Sequence, residues 1–280
     1  MNTLNAGLYI VSTPIGNLDD ITLRSLEVLK KSDIILCEDT RRSLKLLNHY
    51  KIKKKLISYH KFNEQKELLK VIEYLNEGKI LSLISDAGTP ILSDPGLILV
   101  KECIRKNIKI FPMPGPSAIT TAVSVSGFDD KFIFYGFLPK TENDLTKTIN
   151  KLKDLDFSLV FFIPGIKINF YLKFFKEYFI SRDILIAREI SKMHETFYRE
   201  KISTIEPFKI PLKGELTIVI SKIYTNNNPV TEKEIINQAN KYLNKYSLKD
   251  VVELISKKEK VSKKRVYDIC LKIKNDKKNN

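Results

Sequence analysis

Four short segments concentrate residues that can do chemistry. Ser12–Asp20 (STPIGNLDD) places Gly16, which lets a ligand approach the backbone closely, before Asp20, a residue suited to capping a helix. Glu38-Asp39-Thr40-Arg41-Arg42 sets two acids beside two of the chain's eight arginines. That mixture suits proton transfer or phosphate contact, and the acids equally suit the positive end of a helix. Ser85-Asp86-Ala87-Gly88-Thr89-Pro90 is followed closely by Ser93-Asp94-Pro95-Gly96. Asp86 can accept hydrogen bonds from a cationic or hydroxylated ligand. SDPG reads as a turn, but two such signals so close together exceed what one connection needs. Pro114-Gly115-Pro116-Ser117-Ala118 combines small residues with Ser117, a natural helix N-cap.

Two further segments carry titratable groups. Tyr59–Glu64 holds His60, whose imidazole can move protons near neutral pH, although a lone histidine also serves as a surface or cap residue. Ala187–Glu195 (AREISKMHE) is dense in charge, and as a plain connection it reads as a solvated turn.

Such loops need elements to hold them. The pattern predicts strands at Gly7–Val11, Asp33–Cys37, Lys79–Ile84 and Ile108–Phe111, with helices at Ile21–Lys30, Glu64–Glu77 and Leu97–Lys106. This alternation predicts a mainly parallel, wound sheet, with the candidate loops at its carboxyl ends, where open α/β sheets bind ligands. A second unit is expected from Pro114. It has a helix from Ser117, strands at Phe132–Tyr135, Leu159–Ile163, Ile184–Arg188 and Leu216–Ile220, and a helix over Ile166–Tyr178. Pro112–Pro116, with three prolines and a glycine, is expected to end one unit and start the next. Clefts between such units favour ligands. After Tyr224 a polar linker, Thr225–Pro229, precedes two or three helices, with Thr231–Glu234 fitting a capping box and Lys274–Asn280 expected to fray. The expected organisation is an α/β domain over 1–113, a second over 114–224, and a basic helical extension over 225–280.

Composition bounds the function. The chain has 280 residues, 43% of them hydrophobic, so it is not a disordered chain. Three scattered cysteines (Cys37, Cys103, Cys270) give neither a disulfide framework nor zinc spacing. The N-terminus lacks the pattern of a signal peptide, and no apolar run approaches the ~18 residues of a membrane span, so a soluble cytoplasmic protein is expected. The net charge is +15, and residues 225–280 contribute fourteen Lys+Arg against seven Asp+Glu. This suits a polyanionic partner. Lysine drift in a low-GC genome produces the same excess, because forty of the basic residues are Lys.

Taken in order, STPIGNLDD, EDTRR, SYHKFNEQ, SDAGTPILSDPG, PGPSA, GFLP, AREISKMHE and KGELTIVI resemble the bacterial ribosomal RNA small-subunit methyltransferase I group. That group belongs to the tetrapyrrole-methylase (class III) superfamily, and the similarity runs from about Leu8 to Ile220. The resemblance implies two wound α/β domains, a homodimer, and S-adenosylmethionine bound in the cleft between the domains with no metal. It implies 2′-O-methylation of a cytidine ribose in 16S ribosomal RNA or the 30S subunit. Pro14, Asp86, Ala87, Gly88, Ser117 and Ala118 would hold the cofactor. Arg41, Arg42 and the basic helical extension would grip RNA.

Methyl transfer to a hydroxyl also calls for a general base, for which Glu38, Asp39 and His60 are the candidates. One segment departs from the group's pattern. Phe161–Lys167 (FFIPGIK) stands where members usually carry aromatic–Glu–Ser–Pro–x–Arg, and a lysine at 167 does not reproduce an arginine fork. Two alternatives follow: a tetrapyrrole or diphthamide-pathway methylase of the same fold, and a degenerate, non-catalytic RNA-binding homologue.

Overall fold

A computed structural model describes residues 4–223, 231–243, 246–259 and 261–276. The chain forms two compact units, Met1–Ile223 and Tyr224–Asn280.

The first unit opens with β1 (Gly7–Val11), α1 (Leu23–Lys31), β2 (Ile34–Cys37), α2 (Thr40–His49), β3 (Lys55–Ser58), α3 (Glu64–Asn76), β4 (Ile80–Ile84), α4 (Leu97–Arg105) and β5 (Ile110–Met113). Its strands form a fully parallel sheet in the order β3-β2-β4-β1-β5. Helices cover both faces, which is why β1, β2 and β4 read as near-continuous apolar runs. The predicted strands and helices of this half are present within two residues at each end.

Two of its elements were not anticipated. Helix α2 opens on polar residues and buries only Ser43, Leu46 and Leu47. Strand β3 is a four-residue edge strand that opens on Lys55 after Lys53 and Lys54. Pro112 also corrects the expectation that 112–116 lies outside either element, because it sits inside β5, paired with Ile10. An edge strand tolerates the missing N–H.

The unit continues through α5 (Ala118–Ser124), β6 (Phe132–Phe137), α6 (Glu142–Leu152), β7 (Ser158–Pro164), α7 (Ile168–Tyr178), β8 (Asp183–Arg188), β9 (Thr196–Lys201) and β10 (Glu215–Ile220). The second sheet has the order β6-β7-β10-β8-β9. Only β6 and β7 are parallel, and the remaining pairs are antiparallel. The short 189–195 connection dictates this for β8 and β9, since a parallel neighbour would need a longer crossover. One face of this sheet packs a large apolar core against α6 and α7, centred on Phe161, Tyr171 and Phe175. The opposite face carries Val160, Leu185 and Val219 against α5.

Arg182 is the largest fully buried side chain among the described residues. Its guanidinium donates to the carbonyls of Lys153 (2.6 Å), Leu155 (2.8 Å), Phe157 and Ser221 (both 3.2 Å), and it lies over the Phe179 ring. One cation thereby satisfies four carbonyls where three chain segments converge.

The second unit contains α8 (Glu232–Tyr242), α9 (Leu248–Glu259) and α10 (Lys263–Asp276). The capping box is formed: the Thr231 hydroxyl accepts from Glu234 N–H, while the Glu234 carboxylate accepts from Thr231 N–H. Ile235, Ala239, Val251, Ile255, Val266 and Cys270 make a core of its own. The predicted linker 225–229 and the last four residues of the predicted frayed end, 277–280, lie outside the described residues. No helix among the described residues is long and apolar enough to cross a membrane.

Candidate active site

A cavity of about 370 Å³ opens at the carboxyl ends of the first sheet, facing the second sheet. Three loops of the first sheet form one wall: Glu38 and Arg42 after β2, Asp86–Thr89 and Leu92–Asp94 after β4, and Ser117–Ile119 after β5. The second sheet supplies Phe137, Phe162, Ala187, Glu189, Lys192, Glu215 and Thr217.

The first wall is tightly tied. Thr13 and Gly88 exchange both backbone hydrogen bonds at 2.9 Å, and the Thr13 hydroxyl donates to Ser85 O at 3.0 Å. The Ser12 and Thr89 hydroxyls are 3.0 Å apart, and Thr89 reaches Pro116 O at 3.4 Å. Gly88 has φ +79°, a region costly for a side chain. The loop after β8 is fixed to the first sheet as well: Asn17 N–H donates to the Ser191 hydroxyl, which donates to Asp20.

The six residues expected to hold a cofactor divide. Asp86, Ala87, Gly88, Ser117 and Ala118 line the cavity, whereas Pro14 is buried and outside the lining, with its neighbour Ile15 in it. Asp86 accepts from Asp39 N–H at 3.2 Å and pairs with Arg42 at 3.2 Å.

The three candidate bases also separate. Asp39 caps α2, accepting from Arg41 N–H at 2.8 Å, and Arg41 grips both its oxygens. These bonds hold its carboxyl well below the usual carboxylate range, so it is a poor proton acceptor, and it does not line the cavity. His60 is outside the lining too; its Nδ1 accepts from Phe62 N–H at 3.2 Å. Glu38 does line the cavity, and burial, reinforced by the charge of Asp86, raises its pKa. Arg42 reaches the cavity, while Arg41 points away into solvent, its side chain 87% exposed.

In the sequence Asp94 stands out only as part of a turn. The structure puts it in the cavity wall, where burial and the charges of Glu38, Asp86 and Glu215 push its pKa up to about 7. Glu215 was not singled out either. In the departing segment, Phe162 faces the cavity, Ile163 is fully buried in the apolar core, and Lys167 lies over the Phe170 ring outside the lining. Lys167 therefore does not stand in for an arginine at this site.

Residues 7–206 match the family described as Tetrapyrrole (Corrin/Porphyrin) Methylases. The chain belongs to that family. A Thermotoga maritima relative named ribosomal RNA small subunit methyltransferase I is 47% identical over 218 residues, covering 76% of this chain and 97% of that protein. A Rickettsia prowazekii relative of the same name is 41% identical over 276 residues, covering 96% of this chain and 98% of its own. Among solved structures, a Thermus thermophilus uroporphyrin-III C-methyltransferase complexed with S-adenosylhomocysteine superposes with a TM-score of 0.56. It is 15% identical and covers 78% of this chain and 98% of its own, a likeness of fold.

The cavity can be tested against the cofactor expected of a tetrapyrrole-methylase family member. Its volume falls within the range of small-molecule sites. Five carboxylates line it (Glu38, Asp86, Asp94, Glu189, Glu215) against Arg42 and Lys192, each already paired with one of them. That surplus of negative charge fits a cation such as a sulfonium with an ammonium group. Phe137, Phe162, Ile15 and Ile119 offer an apolar surface for a flat base. The residues present fit S-adenosylmethionine. Among the described residues there is no cluster of three or more metal-ligating side chains.

Proposed function

We propose that this chain methylates the 2′-hydroxyl of a cytidine ribose in 16S ribosomal RNA, using S-adenosylmethionine. The observation that carries the reading is the acid-floored cavity built from the loops after β2, β4 and β5 in a tetrapyrrole-methylase fold. Relatives named ribosomal RNA small subunit methyltransferase I supply the substrate class.

In this reading Asp86, Ala87, Gly88, Ser117 and Ala118 hold the cofactor, and Pro14 shapes the wall behind Ile15. The cofactor supplies an electrophilic methyl group on a cationic sulfur. The protein's residues orient it, keep anionic phosphate off the carboxylate floor, and receive a proton from the hydroxyl. Arg41 and Arg42 meet RNA phosphates at the rim, and the lysine-rich helical unit adds a sequence-independent grip. The Thermotoga relative is almost wholly matched by 76% of this chain, which supports reading the helical unit as an accessory to the methylating core. The two sheets serve as cofactor-binding halves divided near Pro114. A homodimer acting on the 16S RNA or the 30S subunit in the cytoplasm completes the proposal.

Two measurements test it. Calorimetry on the purified protein should give micromolar-range binding of S-adenosylmethionine, as small-molecule sites commonly do. Mass mapping of 16S RNA from a deletion strain should show one cytidine losing its 2′-O-methyl group. An unaltered methylation map refutes the RNA assignment, and absent binding refutes the cofactor.

A further inference from the structure

We propose that Asp94 is the general base that takes the proton from the ribose hydroxyl, an inference that rests on the methyltransferase reading above. The position of the side chain is built at visible cost. Ile91 and Ser93 have φ +76° and +72°, and Gly96 has φ +121°. Positive φ is a genuine outlier for a β-branched residue, and it persists only where the surroundings impose it. The surroundings here are identifiable. A Cβ on Gly136 of β6 would lie 3.0 Å from the Ser93 hydroxyl, and a Cβ on Gly96 would lie 2.5 Å from Leu83 Cδ2. Strand β6 and the core beneath α4 thus clamp the 91–96 loop from both sides. An ordinary SDPG turn requires no left-handed isoleucine. The clamp sets residue 94 in the cavity wall.

Three of the neighbouring acids are committed elsewhere, and Glu38 and Glu215 remain in the lining beside Asp94. Asp39 is locked to Arg41 and to the start of α2, and Asp86 is paired with Arg42 and Asp39 N–H. Glu189 is paired with Lys192. Among the described residues Asp94 has no arginine or lysine paired with it, and the nearby Ser85 hydroxyl donates to Gly88 O at 3.1 Å in the loop expected to hold cofactor. Burial is the main reason that Asp94 retains its proton up to about pH 7, and Glu38, Asp86 and Glu215 reinforce it. A base titrating near the working pH is both available and strong enough to help. Glu38, itself acted on by His60 and Arg42, is a positioning residue that keeps Asp94 basic.

The step balances. The 2′ O–H proton passes to an Asp94 carboxylate oxygen while the hydroxyl oxygen forms a bond to the methyl carbon. The carbon–sulfur bond breaks with its electron pair going to sulfur, so cation and carboxylate become a neutral thioether and a neutral carboxyl. Water then takes the proton from Asp94.

The test combines rate and binding, using the full-length protein with 30S subunits and labelled S-adenosylmethionine. For the wild type, kcat/KM for the cofactor should rise with pH about a midpoint near 7. Once bound, the cationic cofactor favours ionised Asp94, so the kcat midpoint should lie at lower pH. Binding should release about half a proton per site at pH 7, read from the dependence of calorimetric enthalpy on buffer. Asp94→Asn should lower kcat by roughly 100-fold or more, remove the pH dependence and the proton release, and leave cofactor affinity within about fivefold. Glu38→Gln should shift the kcat/KM midpoint to lower pH. A variant Asp94→Asn with near-wild-type kcat and an unchanged pH profile overturns the proposal. Loss of cofactor binding by that variant also overturns it, assigning Asp94 to binding. A wild type that transfers no methyl group overturns the methyltransferase reading, and this inference falls with it.

Discussion

Replacing Asp94 by Asn should stabilise the protein at pH 8 and leave stability unchanged near pH 4. The folded-state pKa of about 7 stands against an ordinary value of 3.8. A gap of about three units corresponds to about 4 kcal/mol. The carboxyl faces an open cavity whose water screens part of that penalty, leaving roughly 1–2 kcal/mol. The sign follows from proton counting. Between about pH 4 and 7 the folded state holds a proton that the unfolded chain has released, so stability falls as pH rises across that window and the penalty is complete above it. Asparagine preserves size but carries no charge. Chemical denaturation of the cofactor-free protein at pH 4.5, 6 and 8 should therefore show the variant's advantage growing from near zero to about 1–2 kcal/mol, or about 3–6 °C in Tm at pH 8. A variant less stable than wild type at pH 8, or an advantage equal at all three pH values, refutes the argument that Asp94 is held protonated by its surroundings.

Arg182→Met should cost about 4 kcal/mol or more, because it strands four carbonyls at a buried junction, and urea denaturation would read this as a lowered midpoint. Asp86→Ala should weaken S-adenosylmethionine binding by about tenfold, through loss of one carboxylate and release of Arg42, and calorimetry showing unchanged affinity would remove Asp86 from the site. Truncation after Ile223 should keep cofactor affinity within about twofold while reducing both RNA affinity and its salt dependence. Equal RNA binding in filter assays at two salt concentrations would leave the lysines of the helical unit without that role.

What the sequence made legible follows from burial. β1, β2 and β4 are buried on both faces, so their apolar runs announce them. α2 and β9 present polar residues over much of their length and β3 is a short edge strand, leaving little hydrophobic period to detect. The loops after β2, β4 and β5 were identifiable because small residues and carboxylates crowd strand ends. Their division of labour was not. Asp39 becomes a helix cap gripped by Arg41, and Asp94 a partly buried acid in the cavity wall, only once the loops fold together. SDPG carries an ordinary turn signature, and the left-handed Ile91 that sets it apart has no mark in composition. Arg182 is likewise invisible as a buried residue, since its partners are backbone carbonyls.

What remains to be measured is methyl transfer from the acid-floored cavity of this tetrapyrrole-methylase family member to small-subunit ribosomal RNA. Incubating the purified chain with methyl-labelled S-adenosylmethionine and small subunits from a deletion strain, then mapping the label by mass spectrometry, tests it most directly. The expected result is one methyl group on the 2′-oxygen of a single 16S cytidine. Label on a base, or no label in RNA despite measured cofactor binding, would contradict it.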